Sequence, residues 1–466
     1  MNQDNFKELI KKFVPTNEIY TISSNDIEEF KVGKNYIYKF KNSLSKDTTR
    51  KLNFYRDLNK ELNKIELNNA STAFRKNLSY LHFFEPHKEN YNFLRLDIRS
   101  FFHSIRVKDI RQIFINYISD GHYIDKKETE SLLDTFINIV TYEIPNNSGN
   151  KKFRNKRVLP MGFLTSPVIS NIIFRPLDIQ IQKVCSRYEI VYTRYADDML
   201  FSSSKNSNDV HSENFIREIE LILFQMKFKL NKKKTLKAKH TLSLNGYTIQ
   251  YDYVFRDDEL SENQNIVKQL LNKNPRKKIN ELRLSNKKTN IINKLIYMDK
   301  KNIQSEVILK KIFQFEIEWE FEPEITEVPE KFYREQLLHK ILGYRSYLLS
   351  IVQFNKKYHC TQDKAIEKYT EIIKKLEKIS DKYQRKINRL SEIIEKKKLL
   401  AKIDTIEIEC ISSLTDWQLD KLRDEGYSTL YDLYEVKEND LIYINGIGKV
   451  KAKKIMEIIS KELKKY

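Results

Sequence analysis

The sequence predicts an α+β fold in which an antiparallel sheet comes first and helices follow, and three observations carry that expectation. Between Val191 and Phe201 two runs of β-formers flank Ala196-Asp197-Asp198, which suits the tight turn of a β-hairpin. From about residue 258 to 404 the pattern turns helical, charged and poor in glycine. Beyond residue 405 short amphipathic stretches alternate with turns, as in a small all-α domain. A chain of 466 residues has room for two or three domains with sizeable cores. The expected divisions are 1–250, 251–404 and 405–466.

In chain order, the first chemical signal is the basic pair Arg75-Lys76, in a chain where such pairs are abundant. Phe93-Leu94-Arg95-Leu96 then reads as a buried strand ending in Asp97, with Phe101 and Phe102 just after it. A lone Asp there is more often a turn or cap residue. Lys151, Lys152, Arg154, Lys156 and Arg157 form a basic cluster behind the turn-rich Pro145–Asn150, either phosphate contacts or a mobile loop. Leu159-Pro160-Met161-Gly162-Phe163-Leu164 is a loop running into a helix that Thr165 or Ser166 can cap, with Pro167 in its first turn. Asp197 and Asp198 fall at the hairpin tip after Tyr195. Two adjacent carboxylates repel unless a cation holds them, although an isolated Asp-Asp pair is usually a solvated turn. Lys232-Lys233-Lys234 follows, and Leu244–Ile249 reads as a strand containing Gly246, where another backbone can approach closely.

Taken in this order, residues from about 70 to 250 resemble the palm of a reverse transcriptase, closest to bacterial retron and defence-associated enzymes. Asp97-Ile98-x-x-Phe101-Phe102, Thr165-Ser166-Pro167-x-x-Ser170-Asn171 and Tyr195-Ala196-Asp197-Asp198 carry the resemblance. It implies a right-hand polymerase of fingers, palm and helical thumb that copies RNA into DNA in bacterial antiphage defence. It further implies two Mg2+ ions, with Mn2+ as a substitute, held by Asp97, Asp197, Asp198 and the Ile98 carbonyl. Lys234 would act as general acid or clamp on pyrophosphate. Phe102 would pack under the sugar and exclude a 2′-hydroxyl, Arg75, Lys76 and Gly162 would meet the nucleotide, and Tyr195, Gly246, Arg154 and Arg157 would meet nucleic acid. Implied partners are an RNA template, including a dedicated non-coding RNA, DNA product and deoxynucleotides, with a homo-oligomer or second defence protein also open. Two departures stand out. Met161 occupies a place where relatives carry Gln, and only Asn69-Ala70 and Asn245-Gly246-Tyr247 stand where retron enzymes have longer motifs. These lean toward the abortive-infection branch and keep untemplated or protein-primed synthesis, and a non-catalytic RNA-binding subunit, as alternatives.

Composition agrees with a polyanionic partner. Lys and Arg number 84 against 64 Asp and Glu, a formal charge of +20, although abundant Lys, Asn and Ile also reflect coding bias. Three distant cysteines and eight histidines show no metal-ligand spacing. A polar N-terminus and the lack of any apolar run near roughly 18 residues predict a cytoplasmic protein without a membrane span. Ile366, Tyr369, Ile373, Leu376, Tyr383, Ile387, Leu390 and Ile394 form a heptad-like stripe, read equally as a coiled coil or as a thumb helix packed on its own domain. Ile444-Asn445-Gly446-Ile447-Gly448-Lys449-Val450-Lys451 resembles a helix-hairpin-helix. There Gly446 and Gly448 would offer backbone amides to a phosphate, with Lys449 and Lys451 adding charge; the alternative is a protein-binding module.

Overall fold

The structure, a computed structural model, describes residues 26–33, 35–41, 46–118, 132–251, 281–315 and 329–466. The expected boundary between 250 and 251 falls on the last described residues before 252–280, and the start of the expected helical region, at about 258, lies outside the described residues. Packing divides the chain into two units, one drawn from 1–289 and 351–367, the other from 290–350 and 368–466.

The first unit opens with the antiparallel hairpin β1 (Ile27–Val32) and β2 (Asn35–Phe40), then α1 (Lys46–Leu62) and a helical turn at Leu81–Phe84. β3 (Asn92–Asp97) leads to α2 (Val107–Phe114), α3 (Leu132–Val140), the short pair β4 (Tyr142–Glu143) and β5 (Arg157–Val158), and α4 (Ser166–Arg187). β6 (Val191–Tyr195), β7 (Asp198–Ser203), α5 (Glu213–Gln225) and β8 (Leu236–Lys239) follow. The central sheet has the order β6-β7-β3-β8 and every neighbour is antiparallel. A second sheet contains β9 (Thr241–Leu244), β10 (Tyr247–Gln250) and β11 (Glu281–Leu284), with β10 in the middle.

Period-two alternation gives the central sheet two distinct faces. On one, Tyr192 stacks on Phe201 with ring centroids 4.9 Å apart, and Phe201 meets Phe215 of α5. Arg194 shares that face and reaches α4, where its Nε and Nη2 donate to the two oxygens of Asp178 at 2.9 and 2.8 Å. Asp97, Asp198 and Tyr195 point to the opposite face, because Asp97 pairs with Asp198 and Asp198 with Tyr195 across the ladders. His87 seals part of that second face, its ring nitrogens 2.6 Å from Ser202 Oγ and 2.8 Å from Thr193 Oγ1.

α4 begins at Ser166 with Pro167 in its first turn, as expected, yet neither hydroxyl caps it. Thr165 already has helical φ and ψ at the N-cap position, which turns its side chain away, and Thr165 Oγ1 and Ser166 Oγ are buried without a hydrogen bond. Gly246 is also placed differently. It lies in the two-residue loop between β9 and β10, where Asn245 and Gly246 take φ of +49° and +90°, the paired left-handed values of a type I′ turn. An Asn-Gly pair between β-formers carries that signal, and the turn outweighs the strand propensity on either side.

The helical elements are α6 (Asn286–Lys300), α7 (Ser305–Phe313), α8 (Pro329–Tyr358) and α9 (Asp363–Asp404). α9 buries Tyr369, Ile373, Leu376, Ser380, Tyr383 and Ile387, so the heptad-like stripe is covered within the chain as far as Ile387. The C-terminal residues form α10 (Asp416–Asp424), α11 (Glu438–Ile442) and α12 (Lys449–Leu463) around a core of their own that includes Leu422, Leu433, Leu441, Ile447 and Ile455. Among the described residues no helix is long and apolar enough to cross a membrane.

Candidate active site

Three acidic residues, Asp97, Asp197 and Asp198, are neighbours where β3 ends and the β6–β7 hairpin turns. Ala196 and Asp197 are the two loop residues, and Ala196 carries φ of +56°. A side-chain-bearing residue held there costs about 1 kcal/mol, and the surroundings hold it firmly. Arg194 Nη1 donates to the Ala196 carbonyl at 3.0 Å, and the Ile98 amide donates to the Asp197 carbonyl at 2.9 Å. The turn is thus fixed from the helix side by a buried guanidinium and from the strand side by the backbone after Asp97. That guanidinium and Asp178 are both fully buried, Tyr192 Oη donates to Asp178 at 2.8 Å, and the guanidinium lies 4.3 Å from the Phe174 ring centroid.

Cations from the chain itself attend the acids. Lys234 Nζ donates to Asp97 Oδ2 at 2.7 Å, which separates it from Lys232 and Lys233 on the same 3₁₀ turn. Arg95, two residues before Asp97 and therefore on the same face, donates from Nε to Asp198 Oδ1 at 2.9 Å, and its Nη2 lies 3.5 Å from Asp97 Oδ2. Asn245 Nδ2 donates to Asp198 Oδ2 at 3.4 Å and also to Tyr80 Oη. Burial, Asp198 and Asp97 push the Asp197 carboxyl up to about 6. Burial also raises Asp198, against the opposing pull of Arg95.

The donor set suits hard divalent cations: three carboxylates in a poorly solvated corner, where burial and the neighbouring acids push Asp197 up. Among the described residues no three acidic, histidine or cysteine side chains already converge on one ion position. Asp97 and Asp198 would have to exchange hydrogen bonds from Lys234 and Arg95 for a metal ion.

The remaining expected residues separate into two groups. Phe102 is half-buried beside the site, its ring 6.2 Å from Phe74 and 5.4 Å from the core residue Phe101, and Tyr195 packs edge-on against Tyr80 at 4.5 Å. Gly162 needs to be glycine: its φ is +112°, and a Cβ would stand 2.4 Å from the Tyr38 carbonyl, where the Tyr38 amide already donates to Met161 O at 2.7 Å. Others are occupied locally. Arg75 Nη1 donates to the carbonyls of Asn68 and Ser71 at 3.1 and 3.0 Å, while Lys76 is exposed. Arg154 donates to Ser148 O at 2.7 Å and Arg157 to Asn138 Oδ1 at 2.9 Å. Gly149 N donates to Glu29 Oε1 at 2.8 Å, which ties the turn-rich loop to β1. In the C-terminal module Gly446 has φ of +93°, and a Cβ there would meet Trp417 at 3.3 Å. Gly448 is extended at the start of α12, Lys449 is exposed, and Lys451 folds back with Nζ 4.0 Å from the Trp417 ring centroid and 3.4 Å from Gly446 O.

Sequence reasoning missed Arg95, Asn245, Tyr80 and the Arg194–Asp178 pair. A period-two count back from Asp97 and the Asn-Gly turn signal would have found the first two; Arg194 and Asp178 meet only through the packing of β6 on α4.

Comparison with known proteins agrees with this geometry. Residues 39–249 match the family described as reverse transcriptase (RNA-dependent DNA polymerase), a stretch that contains all three acids and Lys234. The chain is 28% identical over 205 residues to the Retron Ec73 reverse transcriptase of Escherichia coli, covering 42% of this chain and 60% of that protein. It is 27% identical over 158 residues to the Retron Ec86 reverse transcriptase of Escherichia coli, covering 34% of this chain and 42% of that protein. The chain thus spans 60% and 42% of the length of these curated relatives. Among solved structures, telomerase from Candida albicans in complex with a fragment of telomeric RNA superposes with a TM-score of 0.34 at 12% identity, over 80% of this chain and 70% of that one, too loose a likeness to place any element. These relatives are retron enzymes, whereas the sequence departures leaned toward the abortive-infection branch.

Proposed function

We propose that this chain is an RNA-directed DNA polymerase that extends a primer by deoxynucleotide transfer at Asp97, Asp197 and Asp198. The observation that carries this reading is the convergence of Asp97 and Asp198 as cross-strand partners beside a hairpin tip bearing Asp197, inside the stretch that matches the reverse transcriptase family. Asp97, Asp197, Asp198 and the Ile98 carbonyl would hold two Mg2+ ions. When bound, such ions lower the pKa of the primer hydroxyl and stabilise the leaving pyrophosphate.

The chain's own groups do the rest. Lys234, whose ammonium stands at Asp97, would donate a proton to the leaving group once a nucleotide fills the site. Phe102 walls the sugar position and selects deoxynucleotides. The exposed Lys449 and the loop amides around Gly448 offer a phosphate contact in the C-terminal module. The setting in antiphage defence follows from the resemblance to retron and defence-associated enzymes.

Labelled deoxynucleotides or ribonucleotides, supplied with Mg2+ and an RNA template carrying a DNA primer, test the proposal in wild type and Asp197→Asn/Asp198→Asn. Deoxynucleotide product that is absent in the variant and after RNase digestion of the template before nucleotides are added supports it. Product made despite that pretreatment refutes RNA-directed synthesis, and product that survives the double substitution refutes the site.

A further inference from the structure

We propose a second nucleic-acid contact beside the acids: a basic groove that takes a single-stranded segment, with its phosphates on Arg99, Lys229, Lys232 and Lys233 and a base on Phe224. The groove encloses about 730 Å³, and Glu220 is the acidic residue among those lining it. Its wall is continuous with the acid site. Asn231 N donates to Asp97 O at 2.7 Å and Arg99 N to Lys229 O at 2.9 Å, so the groove begins within two residues of Asp97. Lys234 turns to Asp97, while its neighbours Lys232 and Lys233 line the groove.

Charge and shape both select the ligand. None of Arg99, Lys229, Lys232 and Lys233 has a side-chain ion pair or hydrogen bond to another described residue, which leaves four cations facing one carboxylate. Positive charge continues past Arg99 to Lys152 and Lys156. Lys152 is lowered first by burial and then by these two neighbours, and its Nζ donates to Ser100 Oγ at 3.1 Å. Phe224 is 54% exposed, with Lys227 Nζ 4.2 Å from its ring centroid. An exposed ring within a line of unpaired cations is the composition of a groove that tracks a backbone and stacks a base.

Binding of fluorescein-labelled twelve-nucleotide oligo-dT and oligo-U to the full chain, in EDTA without nucleotides, separates this contact from polymerisation. Lys229→Gln/Lys232→Gln/Lys233→Gln should lower the slope of log K against log salt by about 2, at about 0.7 per lost phosphate contact. Phe224→Ala should weaken binding about fivefold or more. A photoreactive benzoylphenylalanine at Leu221, 63% exposed on α5 next to Glu220 in sequence, should crosslink the oligonucleotide in the parent chain and not in the triple variant. The dT and U arms report whether the strand is DNA or RNA. An unchanged salt slope overturns the proposal, and so does a crosslink that a free deoxynucleoside triphosphate abolishes, since that would mark a mononucleotide site.

Discussion

Removing one partner of the Arg194–Asp178 pair should destabilise the first unit and loosen the hairpin tip, two effects that can be separated. Arg194→Leu leaves a fully buried Asp178 carboxylate with Tyr192 Oη, and Asp178→Leu leaves a buried guanidinium facing Asn171 Oδ1 and the Ala196 carbonyl. A buried charge stripped of its partner costs about 3–5 kcal/mol. The unit comprises about 300 residues, and an unfolding entropy near 2.1 cal/mol/K per residue converts 4 kcal/mol into a Tm lower by about 6 °C. Arg194→Leu/Asp178→Leu should recover most of that loss, because no isolated charge remains. It should not recover primer extension, because the donor to Ala196 O is still missing. Calorimetry on the four proteins together with the extension assay reads both effects. Single variants within 2 °C of wild type, or a double variant with full activity, would refute the assignment of this pair to holding the turn.

Arg95→Gln removes a cation that stands where Asp198 and Asp97 would meet metal. A unit charge about 4 Å away is worth about 4 kcal/mol at an effective dielectric near 20, so Mg2+ should bind at least tenfold more tightly by calorimetric titration; weaker binding would mean that Arg95 aids the ion. For His87, burial lowers the ring pKa to about 3. Below about pH 6.5 the unfolded chain takes up a proton that the folded chain refuses, so stability falls by about 1.4 kcal/mol per pH unit as the pH drops. Urea unfolding at pH 6.5 and pH 5 should show a loss about 2 kcal/mol smaller in His87→Gln than in wild type. Asp197, raised to about 6, acts with the opposite sign and favours the fold as pH falls through that value, and the paired comparison cancels its contribution. Phe102→Ala should let ribonucleotides compete at least tenfold better in kcat/KM, with deoxynucleotide extension retained; unchanged selectivity would leave Phe102 as a packing residue.

The local parts of the site were legible because their signals are local. A strand ending in Asp97 and a turn over Ala196-Asp197-Asp198 follow from β-former runs broken by turn residues; the structure ends β3 at Asp97 and confines the turn to Ala196-Asp197, with Asp198 already paired to Tyr195 as the first residue of β7. Lys234 could not be told from Lys232 and Lys233, since only the 3₁₀ turn decides which ammonium faces Asp97. Nor could the sequence show what Arg75, Arg154 and Arg157 touch within the fold. Basic residues near phosphate-type motifs look free in sequence, yet these three donate to groups of their own unit. Gly246 was read as a strand residue because flanking β-formers masked the Asn-Gly turn, and with it went Asn245, which touches Asp198. The Arg194–Asp178 pair lies beyond any sequence pattern, because it depends on how β6 settles against α4.

On the proposed function, Asp97, Asp197 and Asp198 bind the ions that drive nucleotide transfer. Mn2+ binding, followed by electron paramagnetic resonance with a non-hydrolysable deoxynucleoside triphosphate present, tests it most directly. Two ions in wild type and fewer in Asp97→Asn and in Asp197→Asn are the predicted result. Full occupancy in both variants would contradict the account.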